Sequence, residues 1–294
     1  MKRNSIDHTS LACETAELLE LLPLGCACGE DVRYAQLRLK VSASAWGASR
    51  AGQFVMIRPL ARNGLPLPLA WGHDIIWARA FSICRVKRLS DNTFELILFL
   101  QLVGRGTPLL LGLDPGDFLL VWGPLGNGFA VEPDAPVLML AGGLGIAPFI
   151  GYSQAHPNPG GLQLEFGHRV GLDCYPWADF PAEVQKFAHF EQGRDDLMAF
   201  LARLSGQIKK FAKMNGLVLA CGPKPFLQYV QKEAIASGAR AQLSLETQMA
   251  CGSGACLGCT VPAGPGLKGV PKPDWPVQVC LHGPVFWADE VKLS

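Results

Sequence analysis

The sequence predicts a multi-domain chain: a small antiparallel β-barrel, a Rossmann-like α/β half, and a small C-terminal domain organised by four cysteines. Three observations carry this. Residues 32–122 run in short alternating apolar and polar stretches, broken by turn residues and without a long helical period. Residues 137–237 instead alternate continuous apolar runs with segments of helical spacing. The sequence Cys251-Gly-Ser-Gly-Ala-Cys256-Leu-Gly-Cys259 is then followed, after twenty residues, by Cys280.

In chain order, residues 1–27 read as an N-terminal extension. Thr9 or Ser10 is placed to cap a short helix through Leu22, with Leu11, Leu18, Leu19 and Leu22 on one side, ended by Pro23 and Gly25. Cys26 and Cys28 follow as two ordinary loop thiols. From 28 to 133 the barrel takes over. Val32–Val41, Gly52–Arg58, Ile75–Ile83, Thr93–Leu102 and Phe118–Trp122 read as strands. Ser90-Asp-Asn92 and Asp114-Pro-Gly-Asp117 supply turn chemistry. A boundary falls at Pro133-Asp-Ala-Pro136. In the α/β half, 134–240, Val137–Ala141 is apolar throughout, as in a strand buried on both faces. It runs into Gly142-Gly-Leu-Gly145 and a helix, a turn that can aim backbone N–H groups at a phosphate or serve packing alone. Leu162–Phe166 and Leu217–Cys221 are further strands, and Asp195–Lys213 and Phe226–Ser237 are helices, the last ended by Gly238. Ligands in such sheets sit at the carboxyl ends of the strands, where Gly142, Gly143, Cys221, Gly222 and Pro223 lie. Residues 241–294 form the cysteine domain.

Composition excludes several classes. The 294 residues are 49% hydrophobic and 17% charged with net charge +1, so nothing points to nucleic acid or an anionic membrane surface. The longest apolar stretch, from Val137 to Tyr152, is broken by glycines and a proline and is short of a membrane span. Ten cysteines stand behind an N-terminus with no apolar signal core, so a cytoplasmic, reducing setting is expected. None of the six histidines has a carboxylate at helical spacing that pairs with it as a catalytic dyad, so no catalytic acid–base residue is assigned.

The cysteine spacing, C-x4-C-x2-C…C, is the plant-type arrangement for a [2Fe–2S] cluster. Cys251, Cys256, Cys259 and Cys280 supply the four thiolates two irons need. Gly252, Gly254 and Gly258 let the backbone curl closely around it. Zinc would ask for paired C-x2-C units, and only Cys256/Cys259 form one. A disulfide framework suits small secreted domains instead.

On the barrel, Arg79-Ala-Phe-Ser82 and Gly104-Arg-Gly-Thr107 make a flavin site, with Arg79 for a phosphate and Ser82 for a ring nitrogen. These segments, with Gly123–Phe129, Gly142–Pro148, Ala220–Pro225, Met249–Cys259 and Val279–Phe286, make the chain resemble the ferredoxin reductase superfamily. Within it, the chain is most similar to the electron-transfer subunit of the two-subunit, NAD-linked dihydroorotate dehydrogenases of pyrimidine biosynthesis. The resemblance covers about residues 32–294. It implies an electron-transfer oxidoreductase with FAD and a [2Fe–2S] cluster. FAD would be held by Arg79, Ala80, Phe81 and Ser82, by Phe99, Leu100 and Gln101, and at its phosphates by Gly106 and Thr107. NAD(H) would meet Gly142, Gly143, Cys221, Gly222 and Pro223. The implied partner is a flavin-containing catalytic subunit in a hetero-tetramer. Ala80 replaces the usual Pro. Where NADH-using members carry an Asp-Asp-Gly-rich segment, this chain has Lys186–Gly193, so weak and poorly discriminating nicotinamide binding is expected. Related architectures are an NADH–ferredoxin:NADP transhydrogenase subunit, which typically has an aspartate ligand, an oxygenase reductase, and a redox sensor.

Overall fold

The computed structural model describes residues 12–25, 33–60, 78–104, 107–272 and 274–293. The first body is a closed antiparallel barrel of β1 (Ala12–Leu24), β2 (Tyr34–Val41), β3 (Phe54–Pro59), β4 (Arg79–Ser90), β5 (Thr93–Gln101) and β6 (Phe118–Leu125), in the order β1-β2-β5-β4-β3-β6. Its interior is filled by Leu37, Leu39, Leu96, Leu98, Leu119 and Val121 among others, the inward members of alternating strands.

β1 corrects the sequence reading of residues 12–22. They form no helix, and the described part of the extension is a barrel strand that closes the sheet between β2 and β6. The leucines at helical spacing misled. Ala12, Ala16 and Leu18 point inward at strand spacing. A register shift between Leu18 and Glu20 then resets the alternation, so that Glu17 and Glu20 both face outward. There they pair with Lys40 (3.1 Å) and Arg38 (2.7 Å) of the neighbouring strand. Thr9, Ser10, Cys26 and Cys28 lie outside the described residues.

The second body is a six-stranded sheet. β7 (Val137–Gly142), α1 (Ala147–Ala155), β8 (Leu162–His168), β9 (Gln185–Phe190), α2 (Arg194–Lys213), β10 (Leu217–Cys221), α3 (Lys224–Ser237) and β11 (Arg240–Ser244) alternate as expected of a parallel sheet with covered faces. Leu138, Leu140, Val218 and Ala220 face the α2 and α3 side, whereas Val137, Met139, Ala141 and Leu219 face the α1 side. Gly238, at φ 67°, ends α3 in the left-handed conformation.

The C-terminal segment adds a small ribbon, β12 (Thr260–Pro262) with β13 (Pro276–Gln278), a one-turn helix α4 (Val279–His282), and β14 (Val285–Trp287). β14 pairs antiparallel with β11, giving the sheet order β14-β11-β10-β7-β8-β9. The apolar run Pro284–Trp287 is therefore largely core: Val285 is 3% exposed and Phe286 1%. β11 also crosses the 240/241 limit set from the sequence. Among the described residues no helix is long and apolar enough to cross a membrane.

Candidate redox site

The cysteine loop lies directly on the barrel. Trp122 of β6 donates its indole N–H to the carbonyl of Cys251 at 3.0 Å. Gly252 (φ 69°) presses against β3 and β6, where a Cβ would stand 2.6 Å from Met56 Cγ and 2.9 Å from Leu125 Cδ1. Gly254 (φ 84°) is held against Leu281, and Gln278 donates to its carbonyl. Gly258 is not under the same demand. A Cβ there would meet only Cys256 Sγ, at 3.6 Å, and the third left-handed residue of the loop is Leu257 (φ 57°).

Among the described residues no three Cys, His, Asp or Glu side chains gather about one point, as a single-metal site requires. The four thiols fall into two pairs instead. Cys251 Sγ lies 3.4 Å from Cys256 Sγ. Cys280 hydrogen-bonds Cys259 through its thiol, and its N–H donates to Cys259 Sγ at 3.5 Å. Two pairs suit two irons, each taking two protein sulfurs, and do not suit a tetrahedral zinc. Burial, and then the neighbouring Cys259 thiol, push the Cys280 thiol up to about 12, whereas at Cys251 the backbone favours thiolate. Burial pushes the Cys251 thiol up, but N–H groups of Cys256 (3.5 Å) and Ser253 (3.4 Å) donate to its sulfur and bring it down to about 6. Cys259 and Cys280 are buried, Cys251 is half-buried, and Cys256 is exposed.

The flavin motif occupies the start of β4. Phe54 faces Ser82 and Met56 faces Ala80 across the β3–β4 ladder. Arg79 is exposed and Ala80, Phe81 and Ser82 are half-buried, while the next two residues, Ile83 and Cys84, are fully buried. An accessible patch at the start of the strand, ahead of the buried Ile83 and Cys84, fits a planar ring laid over it. Phe99 stacks on Tyr34 (6.0 Å between centroids) and Gln101 Nε2 donates to the Tyr34 hydroxyl at 3.2 Å, so these two face the α/β body. Leu100 points the other way, into the barrel core at 1% exposure, so its side chain is not turned toward a cofactor. The Thr107 hydroxyl donates to Val103 O (2.6 Å) and accepts from Val103 N–H (2.8 Å). Gly106 lies outside the described residues.

At the ends of β7 and β10 the two glycine turns interlock. A Cβ on Gly145 would stand 2.0 Å from the Cys221 carbonyl, and one on Gly142 3.1 Å from Pro223. Packing thus requires Gly145, while Gly143 (φ 54°) meets nothing within 4 Å and leaves its surroundings open. Burial pushes the Cys221 thiol up to about 12, against the opposing effect of a hydrogen bond with Ser244, so it stays protonated at neutral pH.

Sequence reasoning missed two features. Glu191 follows β9 directly and pairs with Arg169, just past β8, at 3.3 Å. A carboxylate therefore stands at the carboxyl end of the sheet although no Asp-Asp-Gly segment is present, and a lone acid after an unrecognised edge strand was the only signal. Secondly, His189 is not isolated. It contacts the fully buried Glu165 at 2.7 Å, where Arg203 (2.7 and 2.9 Å) and Gln163 (2.7 Å) also donate.

A flavin-type barrel joined to a nucleotide-binding sheet, with a two-iron cysteine loop seated on the barrel, defines an electron-transfer reductase. Comparison with known proteins narrows the class. Residues 246–292 match the iron–sulfur cluster binding domain of dihydroorotate dehydrogenase B. The chain is 32% identical over 248 residues, 82% of its length and 87% of the relative's, to the dihydroorotate dehydrogenase B (NAD(+)) electron transfer subunit of Listeria monocytogenes serotype 4a. It is 32% identical over 208 residues, 70% and 80% of the two chains, to the protein of the same name from Caldanaerobacter subterraneus subsp. tengcongensis. The chain belongs to this family of dihydroorotate dehydrogenase B electron transfer subunits. The fold is shared with an NADH-dependent reduced ferredoxin–NADP oxidoreductase (TM-score 0.71, 21% identity, covering 95% of this chain and 90% of that one). It is shared less fully with the ferredoxin reductase of carbazole 1,9a-dioxygenase (TM-score 0.56, 17% identity, 78% and 64%).

Proposed function

We infer that the chain carries electrons between NAD(H) and the catalytic subunit of a dihydroorotate dehydrogenase, through FAD on the barrel and a [2Fe–2S] cluster in the 251–280 loop, in the service of pyrimidine biosynthesis. The observation that carries the reading is the seat of the cysteine loop. Met56 touches Gly252 and pairs with Ala80, so a single residue separates the flavin motif from the cluster loop. When bound, the flavin exchanges a two-electron hydride for single electrons and the cluster relays them one at a time.

The protein's own residues supply position and electrostatics. Arg79 offers a guanidinium to the flavin diphosphate, and Ser82 offers a hydroxyl to the ring edge. The Gly142-Gly143 turn and the Cys221-Gly-Pro223 turn hold the nicotinamide end, with Cys221 as a neutral thiol. Glu191, held by Arg169 at 3.3 Å, would accept from the hydroxyls of the adenosine ribose there. Cys251, Cys256, Cys259 and Cys280 hold the cluster.

The family name makes this chain one subunit of a complex with a catalytic partner. Two copies of each subunit and a cytoplasmic location complete the reading. Leu257, 62% exposed beside two cluster ligands, supports docking over the loop. The test is co-expression with the catalytic subunit followed by anaerobic addition of dihydroorotate. A stable complex should form in which the FAD of this chain bleaches, and Cys280→Ser should stop that bleaching while flavin stays bound. A chain that remains monomeric and whose FAD dihydroorotate never reduces overturns the assignment.

A further inference from the structure

Between the barrel and α1 lies a half-open cavity of about 590 Å³ that shares no residue with the flavin motif, the cluster loop or the glycine turns. One wall is the second half of β4. That strand pairs with β3 only as far as Ser82, so beyond Ile83 its outer edge has no strand beside it among the described residues and opens into the cavity. The opposite wall is α1, brought close by Gly151, whose absent Cβ would stand 2.6 Å from Cys84 O. The short turn at Ser44–Ala48 and Phe129–Val131 close the ends.

The lining is chemically lopsided. Arg50, Arg85, Lys87 and Arg88 contribute four cations and no carboxylate lines the cavity. Among the described residues none of the four forms an ion pair. The Arg85 guanidinium is steadied by Gln154 of α1 at 3.3 Å, and Gln154 in turn holds the carbonyl of Asp179 at 2.7 Å. Arg88 lies over the Phe94 ring at 5.4 Å. Beneath the charges the floor is apolar and aromatic: Trp46, Ile83, Phe94 and Phe129, with the 52%-exposed Val131 at the mouth. Glu95, the ladder partner of Lys87, is engaged by Arg38 at 2.7 Å, so the cations around the apolar slot keep a mutual repulsion that an anion relieves, and the slot rewards a flat apolar group attached to that anion. The volume is that of a small-molecule site.

We propose that this cavity binds a nucleoside polyphosphate, its phosphates on Arg85, Lys87 and their neighbours and its base in the slot between Phe94 and Val131. Such a ligand bridges the strand that carries the flavin motif and the helix that follows the nicotinamide turn.

The test uses the complete chain in complex with its catalytic subunit, with cofactors loaded and NADH saturating so that the dinucleotide site is filled. Calorimetric titration with ATP, tripolyphosphate and adenosine should show one ATP per chain, tripolyphosphate weaker by about tenfold or more, and adenosine weaker still. Affinity for ATP should fall with added salt. Arg85→Gln with Lys87→Gln should weaken ATP by at least about tenfold, with flavin and iron content unchanged. Val131→Trp, which fills the slot and keeps every cation, should also abolish ATP binding. Absence of ATP binding at millimolar concentration, displacement of ATP by NADH, or unchanged affinity in either variant overturns the site. Equal affinity for tripolyphosphate overturns the nucleotide assignment.

Discussion

Three glycines stand between the ligands of the cysteine loop, and the structure gives them unequal work. Gly252→Ala must place a methyl 2.6 Å from Met56 at φ 69°, whereas Gly258→Ala meets only a sulfur at van der Waals distance. The first should cost about 1–3 kcal/mol and lower iron content sharply, and the second should leave iron and Tm near wild type. Parallel iron assay and thermal melts check the contrast, and equal behaviour of the two would defeat it. The cysteine pattern itself was legible, because a two-iron cluster asks for four thiolates at such a spacing, and the fold brings the four together in two pairs. The glycine roles were not. They depend on which neighbour crowds each Cα, and that neighbour is Met56, almost two hundred residues away in sequence. Arg79→Ala belongs at this scale too. Losing one charge-assisted phosphate contact should weaken FAD by about 2 kcal/mol, read as Kd in flavin titration. An unchanged Kd would remove Arg79 from the phosphate site.

Among the elements, those with one dominant apolar period were readable: β7, β10, α2, and the barrel strands with clean alternation. β1 was missed because leucines at helical spacing overlay a strand whose bulge breaks the two-residue period. β9 was missed because it is an edge strand, half-buried at best, whose sequence Gln-Lys-Phe-Ala-His-Phe carries no clean period. What fixes β9 to β8 and α2 is the buried Glu165. Burial pushes its carboxyl up, but donation by His189, Arg203 and Gln163 outweighs that and holds it below the usual carboxylate range. The contribution to stability is therefore present above about pH 4.3, the ordinary glutamate value, and is lost as pH falls through the lowered folded value. Arg203→Leu should destabilise the α/β body by about 3 kcal/mol, since it strands a buried charge. Glu165→Gln should flatten the acid limb of the stability–pH curve. Urea melts across pH 3–7 report both, and an unaltered acid limb would show that Glu165 does not set it.

For the whole molecule, the organising contact lies between two loops far apart in sequence. Asn127 accepts from Val285 N–H at 3.0 Å and donates to the carbonyls of Val285 (2.9 Å) and His282 (3.1 Å). Its own N–H donates to Gly283 O at 2.7 Å. The glycine-rich end of the barrel and the segment after Cys280 thus grip each other. On the outer side, Leu257 holds a left-handed φ with its side chain in solvent. Leu257→Asp should weaken assembly with the catalytic subunit at least about tenfold in Kd, on the scale of losing a buried apolar anchor. Leu257→Gly, which relieves the backbone, should weaken it as well while raising the stability of the isolated chain. Sedimentation and melting measurements separate the two, and intact assembly of both variants would show that the partner docks elsewhere.

The strand β11 leaves the sheet at Ser244 and the chain re-enters beside it at Val285, its register partner. Everything between, cluster ligands included, is a detour sewn into the sheet at both ends rather than a tail hung from one. A tail can swing, and a carrier that swings delivers at a rate set by its search through solvent. A detour pinned at two adjacent points and pressed on the barrel by Trp122 and Gly252 has no search to make. The cluster loop is thus held at a fixed distance from the barrel strands, and no swing of a tethered domain is needed to bring the two together.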